Sequence, residues 1–231
     1  MASSSMDEFK VLTQIVNPFL NRLYAKYYDS PSTLKGAYER VETGGFYRFV
    51  RPLHHGLPKI ENQVIEDLYS ARDLLIKNEI TWSAFITRIV KHCAFLFKSR
   101  HPMAMELASL LKELRSFFEL SEELSSAIEV LVRGYCTVLV KVYSKGKPVK
   151  NVDVTVDYEV PIDILSELCD TTTLTTDLNG EVRFEAPYGS HIIVSALGKE
   201  ETHVIEDPLN TLEIHSDSTF KHLKLRLSQK V

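Results

Sequence analysis

Cysteine is scarce in this sequence. The chain of 231 residues holds three, Cys93, Cys136 and Cys169, with no CxxC and an odd count that cannot pair fully within the molecule. That excludes a disulfide-stapled scaffold and fits reduced thiols serving as small buried hydrophobes in a cytoplasm. No run approaches the roughly 18 apolar residues of a membrane helix, so no membrane partner is expected. Met1 to Lys10 shows no apolar leader core, which also points to a cytoplasmic protein. A hydrophobic share of 44% and a charged share of 25% exclude a mostly disordered, collagen-like or coiled-coil chain. One-signed charge is missing as well: the net charge of −4 excludes a uniformly basic nucleic-acid binder. GxSxG, P-loop and GxGxxG motifs are absent, so acyl transfer, nucleotide hydrolysis and dinucleotide redox chemistry have no sequence support and no cofactor is expected.

What is present divides near Gly134. Residues 1–133 carry 17 Lys and Arg against 16 Asp and Glu, whereas residues 134–231 carry 10 against 15. A polyanion site therefore belongs in the first half. Residues 60–133 show helical spacing four times. The stripes are Val64, Leu68, Ala71 and Leu75; Trp82, Phe85, Ile86, Ile89, Cys93 and Leu96; Leu107, Leu110, Leu111, Leu114 and Phe117; and Leu124, Ile128, Leu131 and Val132. Thr81 and Ser121 are placed to cap helices, Glu122 and Glu123 suit the dipole at a helix start, and Pro102 suits a first turn. Short links imply antiparallel neighbours in a four-helix bundle. A further helix over Phe9 to Tyr28 precedes it, started or kinked at Pro18. Between them, Asp29 to Lys59 reads as a long ordered loop with a short helix around Leu34 to Val41.

From Tyr135 the period becomes two. Val152, Val154, Val156 and Tyr158 alternate with Asp153, Thr155 and Asp157; Val182 and Phe184 alternate with Glu181, Arg183 and Glu185; Ile192, Val194 and Ala196 alternate again, and Leu223, Leu225 and Leu227 close the chain. Turns fall at Lys145 to Pro148, Asp177 to Gly180, Pro187 to Ser190 and Gly198-Lys199. Seven short strands at this spacing predict a β-sandwich of about 95 residues. The fold class expected is thus α+β: an all-α helical bundle over 1–133 (core 60–133, loop 29–59), then a seven-stranded sandwich over 134–231.

Two resemblances follow from particular residues. Val138 to Val142, Gly146-Lys147-Pro148-Val149, Val152 to Val156, Thr176-Asp177-Leu178-Asn179-Gly180-Glu181-Val182 and Pro187-Tyr188-Gly189 run in the order of the transthyretin-like sandwich found beside carboxypeptidases and in many surface proteins. That resemblance implies a packing, adhesion or docking module. The insert Val160 to Cys169 departs from the shorter pattern and is placed to cover a sheet edge. Leu68 to Leu75, Trp82 to Phe97 and Pro102 to Leu114 resemble the HEPN helical family of prokaryotic nucleotide and RNA transactions. The resemblance implies a bundle that forms homodimers and binds partners. Its ribonucleases place an Arg, four to six residues and a His near the last helix. No His lies between Pro102 and Gly134, so ribonuclease activity is not expected.

The segment Phe46-Tyr47-Arg48-Phe49-Val50-Arg51-Pro52-Leu53-His54-His55 sets arginines among aromatics. Tyr47, Arg48, Arg51, His54, His55 and Lys59 are the candidate polyanion-binding residues, because guanidinium pairs phosphate and aromatic rings stack bases. Arg48 and His54 also carry an Arg-x5-His spacing with general-base chemistry toward a phosphodiester. The plainer reading is a loop whose rings pack and whose arginines face water. His54, His55, His92, Cys93 and His101 have no zinc spacing, so no metal is expected. Asp177 to Gly180 lacks the ligands of a calcium loop and reads as a hairpin turn. Asp153, Asp157, Glu159 and Asp163 read as a solvated acidic face rather than catalytic carboxylates. The leading expectation is a non-enzymatic intracellular scaffold, with a self-associating helical half and a sandwich that docks a protein through an edge strand. The alternative is RNA or nucleotide binding through the 46–55 loop.

Overall fold

The computed structural model describes residues 3–28, 41–43, 46–48 and 59–216. The fold is α+β, with helices first and two sheets after them. α1 (Ser3–Val11) passes through a π-helical turn, Leu12–Val16, into α2 (Asn17–Tyr27). Pro18 in the first turn of α2 explains the change of pitch. It has no N–H for the carbonyl four residues back and its ring crowds that carbonyl, which a wider turn relieves. β1 (Val41–Thr43) and β2 (Phe46–Arg48) form a short antiparallel hairpin. The expected helix over Leu34 to Val41 lies outside the described residues except for Val41, which opens β1.

α3 (Ile60–Ile76), α4 (Trp82–Lys98) and α5 (Pro102–Leu114) follow. Thr81 starts α4 by accepting a hydrogen bond from Ala84 N–H at 3.2 Å. α5 begins on a proline whose missing N–H costs nothing there, and His101 Nδ1 accepts from Met103 N–H at 3.2 Å. α2 packs on α3, α3 on α4 and α4 on α5. Their inward stripes, including Leu20, Leu23, Leu68, Phe85, Ile89, Leu107 and Leu111, are fully buried. Each such side chain contributes about 1.5–3 kcal/mol.

α6 (Glu122–Arg133) is capped by Ser121, which accepts from Leu124 N–H at 3.3 Å. From periodicity α6 counts as the fourth helix of a bundle. Its contacts group it with the strands: the chain divides into two compact units, Met1–Leu120 and Ser121–Val231. Val130 lies 3.6 Å from where a Cβ on Gly189 would stand, and the Arg133 guanidinium sits 4.5 Å over the Tyr188 ring. Helical periodicity identifies the face that is buried but not the surface that covers it.

The second unit holds β3 (Tyr135–Ser144), β4 (Lys147–Pro148), β5 (Asp153–Glu159), a 3-10 turn (Asp163–Leu168), β6 (Asp170–Thr175), β7 (Glu181–Pro187), β8 (His191–Ala196), β9 (Lys199–Val204) and β10 (Leu209–Ser216). One sheet sets β10 and then β7 with β4 on the two sides of β3; the other runs β6-β5-β8-β9. Two four-stranded sheets make eight strands among the described residues of this unit, where seven were expected. All pairings are antiparallel except β10 with β3, which is parallel in register Leu209↔Thr137 to Ser216↔Ser144. Inward valines of both sheets, Val138, Val140, Val142, Val154, Val156 and Val194, form the core with Ile192, Ile205 and Ile214. The expected closing strand Leu223 to Leu227 lies outside the described residues. The insert forms the 3-10 turn, which buries Leu165 and Leu168 and lies beside α6.

The Thr-Asp-Leu-Asn-Gly sequence fastens the two sheets. Thr176 Oγ1 donates to Val149 O at 2.7 Å and accepts from Val152 N–H at 2.9 Å. Asp177 Oδ1 accepts from the amides of Asn179 and Glu181 at 2.8 and 2.9 Å. Gly180 has φ +72°, and a Cβ there would stand 2.8 Å from Val142 O and 2.9 Å from Val149 N. Gly146 has a similar φ of +73° but open space around it. Gly146→Ala is therefore expected to cost about 1–2 kcal/mol, the left-handed penalty alone. Gly180→Ala adds a backbone clash and is expected to cost more than about 3 kcal/mol. Urea unfolding of the two variants checks the order; equal losses would refute the packing argument.

Candidate functional site

Sheet edges carry the unsatisfied backbone groups of a sandwich, and the two edges of the β6-β5-β8-β9 sheet differ in chemistry. β9 exposes Lys199, Glu200 and Glu201, the charged residues that discourage another strand from adding. β6 reads Asp-Thr-Thr-Thr-Leu-Thr, β-branched and without Lys, Pro or a bulge. Among the described residues it pairs with β5 alone.

Backbone direction on β6 follows from one hydrogen bond. Thr176 N–H donates to Val152 O at 2.9 Å, so with period two the backbone groups of Leu174, Thr172 and Asp170 turn to β5. Those of Thr171, Thr173 and Thr175 turn to the open edge. Thr171 N–H is held by Asp170 Oδ1 at 2.9 Å. The outer face beside this edge is acidic, as the alternation implied: Asp153 faces Thr175 and Asp157 faces Thr171 across the register, with Glu159 one step further along β5. Thr175 Oγ1 donates to Asp153 Oδ1 at 3.1 Å. Asp163 belongs to the 3-10 turn instead of the strand. Beyond the end of β6 an open depression of about 450 Å³ is lined by Leu174, Thr175, Asp177 and Glu181 among others.

The predicted polyanion residues do not form a described site. Tyr47 and Arg48 are neighbours in β2, and Lys59 precedes α3, where its carbonyl accepts from the amides of Asn62 and Gln63. Arg51, His54 and His55 lie outside the described residues.

Polar groups that sequence reasoning did not pair now have partners. Asp67 on α3 accepts from Arg88 at 3.3 Å and meets His92 Nε2 at 2.8 Å, both on α4. The spacing of Arg88 and His92, one helical turn apart, was the available signal. Because His101 Nδ1 accepts the cap bond, its proton sits on Nε2, 3.0 Å from Glu61 Oε1. Glu106 accepts from Lys26 at 2.5 Å and from Tyr27 at 2.7 Å. Burial works against the Glu106 carboxylate, but these two hydrogen bonds outweigh it and hold its pKa below the ordinary value. Tyr27 is pushed up, by burial first and then by Glu106. His92, Cys93 and His101 turn to different partners, and no group of three His, Cys, Asp or Glu suited to a metal occurs among the described residues. No described helix is long and apolar enough to cross a membrane.

No family model matches the chain, and no curated relative does. Two solved structures share some of its shape. One is the dioxygenase domain of a dioxygenase carbohydrate-binding protein fusion from Streptomyces sp. SirexAA-E, at 13% identity and a TM-score of 0.26, covering 37% of this chain and 80% of that one. The other is the shaft pilin SpaA from Lactobacillus rhamnosus GG, at 10% identity and a TM-score of 0.25, covering 35% of this chain and 48% of that one. At those scores neither likeness bears on fold or chemistry.

Burial pushes the Cys93 thiol up to about 12, and its Sγ donates to Ala104 O at 3.3 Å inside the helical core. The unfolded thiol titrates near about 8.5. The stabilising difference is whole below that pH and is lost as pH climbs toward the folded value. Native protein at pH 8 should alkylate at Cys93 about a thousand-fold more slowly than urea-unfolded protein, read by mass spectrometry of the peptide containing it. Comparable rates would show that the helical core opens readily.

Proposed function

We propose that this chain is a non-enzymatic intracellular interaction or scaffold protein, whose helical half, HEPN-like, self-associates and whose sandwich, transthyretin-like, docks a protein partner through an edge strand. The observation that carries the reading is β6: a sheet edge with outward backbone groups whose one charged residue, Asp170, stands at its first position, where β9 opens with Lys199, Glu200 and Glu201. Supporting it, the polar clusters of the helical unit are tied up in helix-to-helix bonds, with Asp67, Glu61 and Glu106 each engaged across elements. Carboxylates so held fix the packing of these helices.

The alternative, RNA or nucleotide binding through Tyr47, Arg48, Arg51, His54, His55 and Lys59, rests on the sequence motif. Fluorescence-polarisation titration with labelled single-stranded RNA at low and physiological salt separates the two. The scaffold reading expects no saturable binding at either salt, and a dimer in sedimentation equilibrium. Micromolar binding that weakens steeply with salt, and is lost in Arg48→Ala/Arg51→Ala, would move the function to RNA. Cleavage of the RNA would overturn the non-enzymatic reading outright.

A further inference from the structure

We infer that the occupant of the β6 edge is an extended segment alternating basic with aliphatic side chains, added as a fifth strand to the β6-β5-β8-β9 sheet. This deepens the reading of the chain as a docking protein and rests on it. The alternation follows from the two faces of β6. A strand laid against Thr171, Thr173 and Thr175 alternates its side chains between those faces. On the outer face they meet the threonine row backed by Asp153 and Asp157. No Lys or Arg stands on that face of β5 or β8, whose outward residues are Asp153, Thr155, Asp157 and Glu159, then His191, Ile193 and Ser195. Lysine or arginine is the complement there. On the other face they meet the half-buried Thr172 and Leu174 beside the core, where aliphatic side chains fit. The depression at the end of β6 adds no further basic subsite, because Arg183 lines it beside Asp177 and Glu181, and Glu181 already faces Lys141 at 3.7 Å and Arg183 at 4.0 Å.

Charge also decides against a second copy of the chain. Pairing β6 with β6 of another molecule would extend one face carrying the Asp153 and Asp157 rows of both copies with no cation between them. The amides of Thr173 and Thr175 supply the backbone ladder, while Thr171 N–H, already held by Asp170, marks one end of it.

The test uses the full chain and fluorescein-labelled peptides of about eight residues, one alternating Lys with Val and one alternating Glu with Val. The basic peptide is expected to bind saturably and at least about ten-fold tighter than the acidic one, with affinity falling as salt rises. Thr173→Pro removes an edge-facing N–H and leaves the ladder to β5 in place, so it should weaken binding at least about ten-fold. Asp153→Asn/Asp157→Asn should weaken it about three- to ten-fold. Hydrogen exchange should show Thr173 and Thr175 amides protected by peptide, a reading that holds even if the proline variant fails to fold. Equal binding of the two peptides, indifference to both variants, or protection at another edge would overturn the assignment while leaving the docking reading standing. A dimer of the free protein that Thr173→Pro dissolves would make a second copy the occupant and overturn it too. RNA turnover would remove the underlying reading, whatever β6 binds.

Discussion

The first sheet of the second unit hangs on β3. Like β5 and β8 in the other sheet, it has partners on both sides, parallel to β10 on one and antiparallel to β7 and β4 on the other. Its alternate residues Val138, Val140 and Val142 are fully buried. A strand so placed has every backbone group committed and every second side chain in the core, so neither register nor face can slip. Gly134 at φ +77° lets the chain leave α6 and enter this strand at once. Its carbonyl accepts from Tyr188 N–H at 2.9 Å, tying the Pro-Tyr-Gly turn to the same junction. In the other sheet β5 and β8 hold the centre in the same way, so the contrast between its edges β6 and β9 is a contrast of side chains on equivalent scaffolding.

The helical unit solves a different problem. Its apolar stripes are buried, but long amphipathic helices slide on one another unless something fixes their stagger. Asp67 to Arg88 and His92 pins α3 to α4, Glu61 to His101 pins α3 to the start of α5, and Glu106 to Lys26 and Tyr27 pins α5 to α2. These pairs are partly exposed and screened by solvent, and each adds little stability. Their effect is to make one stagger better than its neighbours. Stacking of Tyr24 on Tyr28, with Tyr69 edge-on to Tyr24, does the same between α2 and α3.

Much of this was legible in the sequence, and the limits are physical. Caps at Thr81 and Ser121, the first-turn proline at 102 and the turn at Asp177 to Gly180 are local chemistry, and each stands where its residues required. The core strands β3, β5, β7 and β8 announced themselves by alternation. The edge strands did not. β6 is mostly threonine and β9 opens with Lys-Glu-Glu, since an edge need not carry an apolar pattern. β10 buries every second residue, but two of those are Asn210 and Ser216 while Leu209 is exposed, which hides its alternation. The parallel pairing of β10 was beyond reach for the same reason that the surroundings of α6 were: periodicity reports a buried face and never its partner. From the sequence, docking through an edge strand is an expectation that names no strand, and the threonines of β6 carry no charge or motif to draw attention. The arginine and histidine loop drew attention because it was rich in signal, and most of it lies outside the described residues.

The parallel bond between β3 and β10 also has a consequence for the order in which the molecule forms. The first strand of the sandwich finds one of its two flanks roughly seventy residues later in the chain. During synthesis β3 emerges early with only the two-residue β4 close behind it, gains β7 roughly forty residues later, and waits for β10 until almost the whole unit has left the ribosome. In the helical unit α4 and α5 are neighbours in sequence and need no such delay, whereas α2 meets Glu106 of α5 only 80 residues later. Each unit therefore closes late. The interval before closure is when a valine-rich strand is most exposed to the wrong partner.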